Sequence, residues 1–184
     1  FMLFLFQFLK YFPGGTEVHV RLVSRSPYAQ HVIGRPRLRV GAVPEALLAR
    51  LPPATSGWYI SGPVPASSGA EAYDGRFGPE AATRIDLAQR FGKAGEGTYE
   101  WRHAPGVLEG VPVNLAQGVG AEYLAREAWA AAPGELELSL GSDDGLQVFV
   151  NGTLVHERRI DRSVAPDQDR VRVPLAAGAN LIVC

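Results

Sequence analysis

Glu135-Leu136-Glu137-Leu138-Ser139-Leu140, then Leu146-Gln147-Val148-Phe149-Val150-Asn151-Gly152-Thr153-Leu154-Val155-His156, is the stretch on which the fold turns. In the first run apolar and polar residues alternate strictly, which puts Leu136, Leu138 and Leu140 on one side of an extended strand. The second run is broken by Asn151-Gly152, a pair that tolerates the two positive-φ positions of a tight hairpin turn. Val171-Arg172-Val173-Pro174-Leu175 and Leu181-Ile182-Val183 add two strands around a turn at Gly178. Short strands, frequent turns and no long helical period predict an all-β fold, an antiparallel β-sandwich.

Working outward, the sandwich is expected to span 56–184, with its last strand stopping mid-run and the domain truncated at its C-terminus. Trp58-Tyr59-Ile60 reads as a short strand followed by a Gly/Pro/Ser-rich loop through Gly69. Tyr99-Glu100-Trp101 and Val111-Pro112-Val113-Asn114-Leu115 are further strand candidates. Tyr123 to Trp129 suits either a strand or a helix, because its Ala, Arg and Glu favour helix. Residues 43–55 read as a short helix and linker, with Pro44 and Glu45 suited to a first helical turn and Pro52-Pro53 ending it.

Residues 1–42 carry two strand-like runs, Glu17 to Val23 and Arg37 to Val40. One hairpin does not hold itself together in water, so an incomplete N-terminal β segment, the remnant of an upstream sandwich, is expected there. Phe1 to Phe12 is almost wholly apolar, but it is too short to span a bilayer and lacks the basic start of a signal peptide. Its expected role is a buried strand.

The 184 residues carry a formal net charge of -1, which gives no electrostatic basis for binding nucleic acid or an anionic membrane. Cys184 is the single cysteine, so neither an intrachain disulfide nor a cysteine metal cluster can form.

Gly141-Ser142-Asp143-Asp144-Gly145, the strand after it, Asn151-Gly152, then Pro166-Asp167-Gln168-Asp169 and Ala177-Gly178-Ala179-Asn180 occur in a fixed order. That order resembles the galactose-binding-like (jelly-roll) domain of large planctomycete cytochrome-c-type surface proteins. Trp58 with Gly62-Pro63, and Phe77 with Gly78-Pro79-Glu80, are similar to that family's domain opening. Upstream, Ser26-Pro27-Tyr28-Ala29-Gln30-His31 and Gly34-Arg35-Pro36-Arg37-Leu38-Arg39-Val40 resemble the end of a laminin-G-like sandwich, although Pro36 stands for an aromatic and Arg39 for a serine. The resemblance implies a large exported protein, periplasmic or at the cell surface, with heme c attached in a domain outside this chain. No Cys-x-x-Cys-His occurs here, so no redox role falls to these residues.

Asp143 and Asp144 invite two readings. Adjacent loop carboxylates can join a calcium site, and the pair is similar to one that holds calcium beside a sugar in protective-antigen-type lectin domains. Alternatively, Ser142, Asp143 and Gly145 shape a turn. Trp101, followed by Arg102 and His103 before a Pro-Gly loop, is the candidate for an exposed ring that stacks on a pyranose. Trp58 and Trp129 are expected in the core. Asp86, Glu100, Glu122, Glu127 and Asp161 include enough carboxylates for a glycosidase dyad, but nothing in the sequence singles out two of them. His19, His31, His103 and His156 lack metal-ligand spacing, and Gly92 to Gly97 lacks the Gly-Lys-Ser/Thr of a phosphate loop.

The expected function is a non-catalytic accessory module of an exported multidomain bacterial protein, with a glycan as ligand. The alternatives are a purely architectural sandwich packed on neighbouring domains of the same chain, or an accessory domain of a polysaccharide-acting enzyme.

Overall fold

The computed structural model describes residues 52–92, 97–115 and 118–184. The expected β segment at 1–42 and the helix in 43–51 lie outside the described residues. The elements are β1 (Ala54–Thr55), β2 (Tyr59–Pro65), α1 (Gly69–Asp74), a 3₁₀ turn (Pro79–Ala81), β3 (Arg102–His103), β4 (Gly120–Ala130), β5 (Gly134–Leu140), β6 (Leu146–Val150), β7 (Thr153–Arg158), β8 (Asp169–Leu175) and β9 (Gly178–Val183).

Two antiparallel sheets form the sandwich. The larger runs β3-β2-β4-β9-β6-β7, with β1 also paired to β4, and the smaller is β5-β8. Register explains why the larger sheet is buried on both faces. Ala125 lies opposite Val183, which lies opposite Phe149, and this row joins Leu181, Tyr123, Val64, Trp101, Phe91 and Phe77 in one core. One residue along, Val150 lies opposite Ile182, and these join Val148, Ala128 and Ala130 against Val171, Val173 and Leu175 of the smaller sheet. Leu136, Leu138 and Leu140 pack onto that second core as the alternation predicts. Each fully buried Val, Leu or Ile contributes roughly 1.5–3 kcal/mol, so these two apolar rows hold the sheets together.

The turn at Asn151-Gly152 has φ values of 51° and 79°, as a two-residue hairpin demands. One open choice is decided, and four other segments differ from the sequence reading. Tyr123 to Trp129 is strand: Tyr123, Ala125, Ala128 and Ala130 are buried in β4, and that burial overrides helical propensity. Val111 to Leu115 forms no strand; its valines and leucine are exposed, and among the described residues no strand pairs with them. Strand β2 continues through Gly62 and Pro63, with a register shift between Ser61 and Val64, where a loop was expected. Tyr99 makes one bridge to Phe91, and the strand itself begins at Arg102. Residues 54–55, assigned by sequence to a linker, already pair with Trp129 and Ala128. Among the described residues no helix is long and apolar enough to cross a membrane.

Candidate functional site

Two regions concentrate polar chemistry. The first is where the chain crosses between the sheets. Gly141–Gly145 carries it from β5 in the smaller sheet to β6 in the larger, and residues 159–168 carry it back from β7 to β8. The two crossings touch. A Cβ on Gly141 would lie 2.0 Å from the carbonyl oxygen of Ala165, so only glycine allows the backbones to run this close. Gln168 Oε1 accepts from the Ser142 backbone N–H at 3.0 Å, and Arg162 donates to the Ser142 carbonyl at 3.2 Å and to its Oγ at 2.7 Å.

Asp169 anchors this clasp. Its side chain is 2% exposed; Arg158 Nε donates to Oδ1 at 3.0 Å and Arg162 Nη2 donates to Oδ2. The hydrogen bond from Arg162 holds the Asp169 carboxyl below its ordinary range despite burial, and Arg158 adds to the effect. His156 Nε2 stands 3.9 Å from Asp169 Oδ1.

Asp143 and Asp144 sit exposed on the first crossing. Asp144 Oδ1 accepts the Arg162 backbone N–H at 3.1 Å, and the Asp144 carbonyl accepts from Ser142 Oγ at 2.7 Å. That is turn chemistry. Calcium takes about six to eight oxygen ligands, and among the described residues no group of three His, Cys, Asp or Glu side chains gathers as a metal site.

Trp101 corrects the sequence reading of an exposed ring. It is 2% exposed, lies edge-on to Phe91 at 5.5 Å between centroids, and belongs to the first core. It cannot stack on a sugar from there. Trp58 and Trp129, expected in the core, are only half-buried. The Arg126 guanidinium covers the Trp58 ring at 4.7 Å and also bonds Glu109, Thr55 Oγ1 and the Ser56 carbonyl.

The second region lies at the β2–β3 edge. A depression of about 290 Å³ is lined by Gly62, Arg90, Thr98, Tyr99, Glu100 and Arg102. Arg90 Nη2 pairs with Glu100 Oε2 at 2.8 Å, both side chains remaining about half exposed. Arg102 Nη2 donates to the Gly62 carbonyl at 3.0 Å. Beneath Gly62 runs β4: a Cβ on that glycine would stand 3.3 Å from the Cα of Glu122. Burial raises the Glu122 carboxyl above its ordinary value, opposed by the charge of Arg102, and Glu122 Oε2 is buried without a hydrogen-bond partner.

Of the five carboxylates considered for a dyad, three make polar contacts of their own. Asp86 pairs with Arg84 and accepts from Ala88 N–H, Glu100 pairs with Arg90, and Glu127 accepts from Ile85 N–H. Glu122 and Glu127 are five apart on one strand, so they project from opposite faces.

Two further groups escaped the sequence reading. Glu80 is a buried carboxylate that accepts from the backbone N–H groups of Phe77 (3.0 Å) and Gly78 (2.8 Å) and from the Tyr123 hydroxyl. Burial first, and Glu80 second, push the Tyr123 hydroxyl far above its ordinary value. The Arg90–Glu100–Arg102 grouping was hidden because Arg90 and Arg102 are twelve positions apart and meet only through the sheet edge. No protein-family model matches the chain, and neither a curated protein nor a solved structure matches it.

Proposed function

We propose that this chain supplies a non-catalytic binding module of a large exported multidomain bacterial protein, and that its ligand is a carbohydrate. The observation carrying this reading is the depression at the β2–β3 edge. At about 290 Å³ it falls just short of the range of small-molecule sites, roughly 300 to 1,000 Å³. Its lining offers guanidinium donors, a carboxylate acceptor, a hydroxyl and an aromatic side chain within one open face. The likeness of the Gly141–Asn180 motifs to galactose-binding-like domains of planctomycete surface proteins supports the export of the parent protein, with heme c in domains outside this chain.

Retention of the full chain on a panel of immobilised polysaccharides tests the reading, and retention by at least one of them is expected. Elution of the chain in the void on every polymer would defeat it.

An architectural role is the second reading. Leu108, Val111, Val113, Leu115 and Val119, all in the segment leading to β4, are between 39% and 60% exposed. So much apolar surface in one segment suits contact with a neighbouring domain of the same protein. Under that reading the isolated chain binds no glycan, while the parent protein loses interdomain cohesion when these residues become serine.

A further inference from the structure

We propose that the depression takes a neutral saccharide, held through neighbouring hydroxyls by the Arg90–Glu100 pair and Arg102, an inference that rests on the carbohydrate-binding reading above. The first argument is charge balance. Arg90 is paired with Glu100 at 2.8 Å, and Arg102 stands close enough to Glu122 to feel its carboxyl, so neither guanidinium faces the depression unopposed. A uronate, sulfate or phosphate would have to compete with carboxylates already in place. A sugar hydroxyl has no such conflict, because it donates one hydrogen bond and accepts others.

The second argument is the form of the hydrogen-bonding groups. A guanidinium beside a carboxylate presents N–H donors and oxygen acceptors within one hydroxyl–hydroxyl spacing, and bonds to charged partners are the stronger kind. Arg102 spends one of its five N–H groups on Gly62 O, which fixes the side chain at the rim. Thr98 adds a hydroxyl and Tyr99 a half-buried ring beside them.

The geometry also explains why the sequence candidates fail to converge. Trp101 precedes Arg102, so on a strand its side chain points to the opposite face, into the core, while Arg102 faces outward.

The test is affinity electrophoresis of the full chain through gels containing neutral galactan, xylan or mixed-linkage β-glucan, or acidic polygalacturonate or alginate. Three variants run alongside: Arg102→Ala, Glu100→Gln, and the double substitution Asp143→Asn/Asp144→Asn. Retardation by a neutral polymer is expected, persisting in about 0.5 M NaCl because no net charge is being neutralised. Arg102→Ala and Glu100→Gln each lose at least about tenfold in affinity, as the removal of a charge-assisted hydrogen bond would produce, and the double variant behaves as the parent. Thermal unfolding of each variant shows that the exposed substitutions leave the fold intact, and Arg90→Ala replaces any that does not fold. Retardation confined to acidic polymers and abolished by salt overturns the neutral-ligand assignment. Neutral binding unchanged in Arg102→Ala and Glu100→Gln overturns the site while leaving the carbohydrate reading standing. Absence of retardation in every gel defeats that reading and this inference with it.

Discussion

Asn151 and Asn180 hold one another through their side-chain amides, Nδ2 of Asn151 donating to Oδ1 of Asn180 at 2.9 Å, while Oδ1 of Asn151 accepts the Leu181 backbone N–H at 2.8 Å. Asn180 is 1% exposed, and its amide also donates to the carbonyls of Ala176 (2.9 Å) and Gly178 (3.1 Å) and accepts from Ala176 N–H (2.9 Å). One buried side chain thus closes the β8–β9 turn and ties it to the β6–β7 turn. Asn180→Leu fills a similar volume but strips these backbone groups of their partners, each worth about 1–3 kcal/mol when left buried and unpaired. The expected loss is about 3 kcal/mol, read from the urea midpoint with an unchanged slope. Asn151→Gly keeps the left-handed turn and removes only its own side-chain bonds, so about 1–2 kcal/mol is expected. Equal stability of Asn180→Leu and the parent would show that this amide is not holding the turns.

Asp169 supplies the second prediction. Removing one partner of a buried ion pair typically costs about 3–5 kcal/mol, because the remaining charge is stranded. Asp169→Asn strands Arg162, whose side chain is only 15% exposed, so a loss near the lower end, about 3 kcal/mol, is expected at pH 7. The pH dependence has a definite sign. Arg162 depresses the folded-state pKa of Asp169, so its contribution is present above the unfolded value of about 3.9 and is lost as pH falls through the lower folded value. Stability curves of parent and Asp169→Asn should therefore converge below about pH 4. A gap that stays constant from pH 7 to pH 2 would contradict the assignment.

Glu122 has the opposite sign. Burial raises its folded-state pKa, so its contribution is most favourable below the unfolded value of about 4.3 and declines as pH rises through the raised folded value. Glu122→Gln removes the buried charge while keeping the shape. The variant is expected to be more stable than the parent at neutral pH and to lose that advantage in acid, as chemical denaturation at pH 4 and pH 7 would show. If the substitution destabilised the chain equally at both, Glu122 would be pairing with a group that the raised pKa does not reflect.

Much of the sandwich was legible because strand alternation is a local code. Leu136, Leu138 and Leu140 declare their face without reference to anything distant, and Asn151-Gly152 declares its turn. The Gly141–Gly145 and Pro166–Asp169 motifs were legible as motifs but not as a clasp. Their meeting, with Gly141 against Ala165 and Ser142 bonded to Gln168 and Arg162, is a long-range event between two sheet crossings. Val111 to Leu115 misled because an apolar alternating run signals a strand only when another strand pairs with it, and among the described residues none does. The β2–β3 depression was invisible for a related reason. Its charged residues are spread over segments that are ordinary when read alone, and β3, only two residues long, brings them together.

Trp101 gives the sharpest contrast between a core and a ligand-binding aromatic. Its ring is enclosed by the first core, and its indole N–H is buried without a hydrogen-bond partner. Truncation to alanine opens a large cavity and should cost about 3–5 kcal/mol. Trp101→Phe also loses volume, but it removes the unpaired donor and keeps an aromatic edge for Phe91, so a cost of about 1.5 kcal/mol or less is expected. Tyr123, whose hydroxyl donates to buried Glu80, behaves differently: Tyr123→Phe leaves that carboxylate short of a partner and should cost more than its single lost oxygen suggests. Glycan retention by Trp101→Phe should equal that of the parent, since the ring lies on the face of the sheet away from Arg102. Loss of binding with stability preserved would return Trp101 to the ligand site and displace the β2–β3 depression from it.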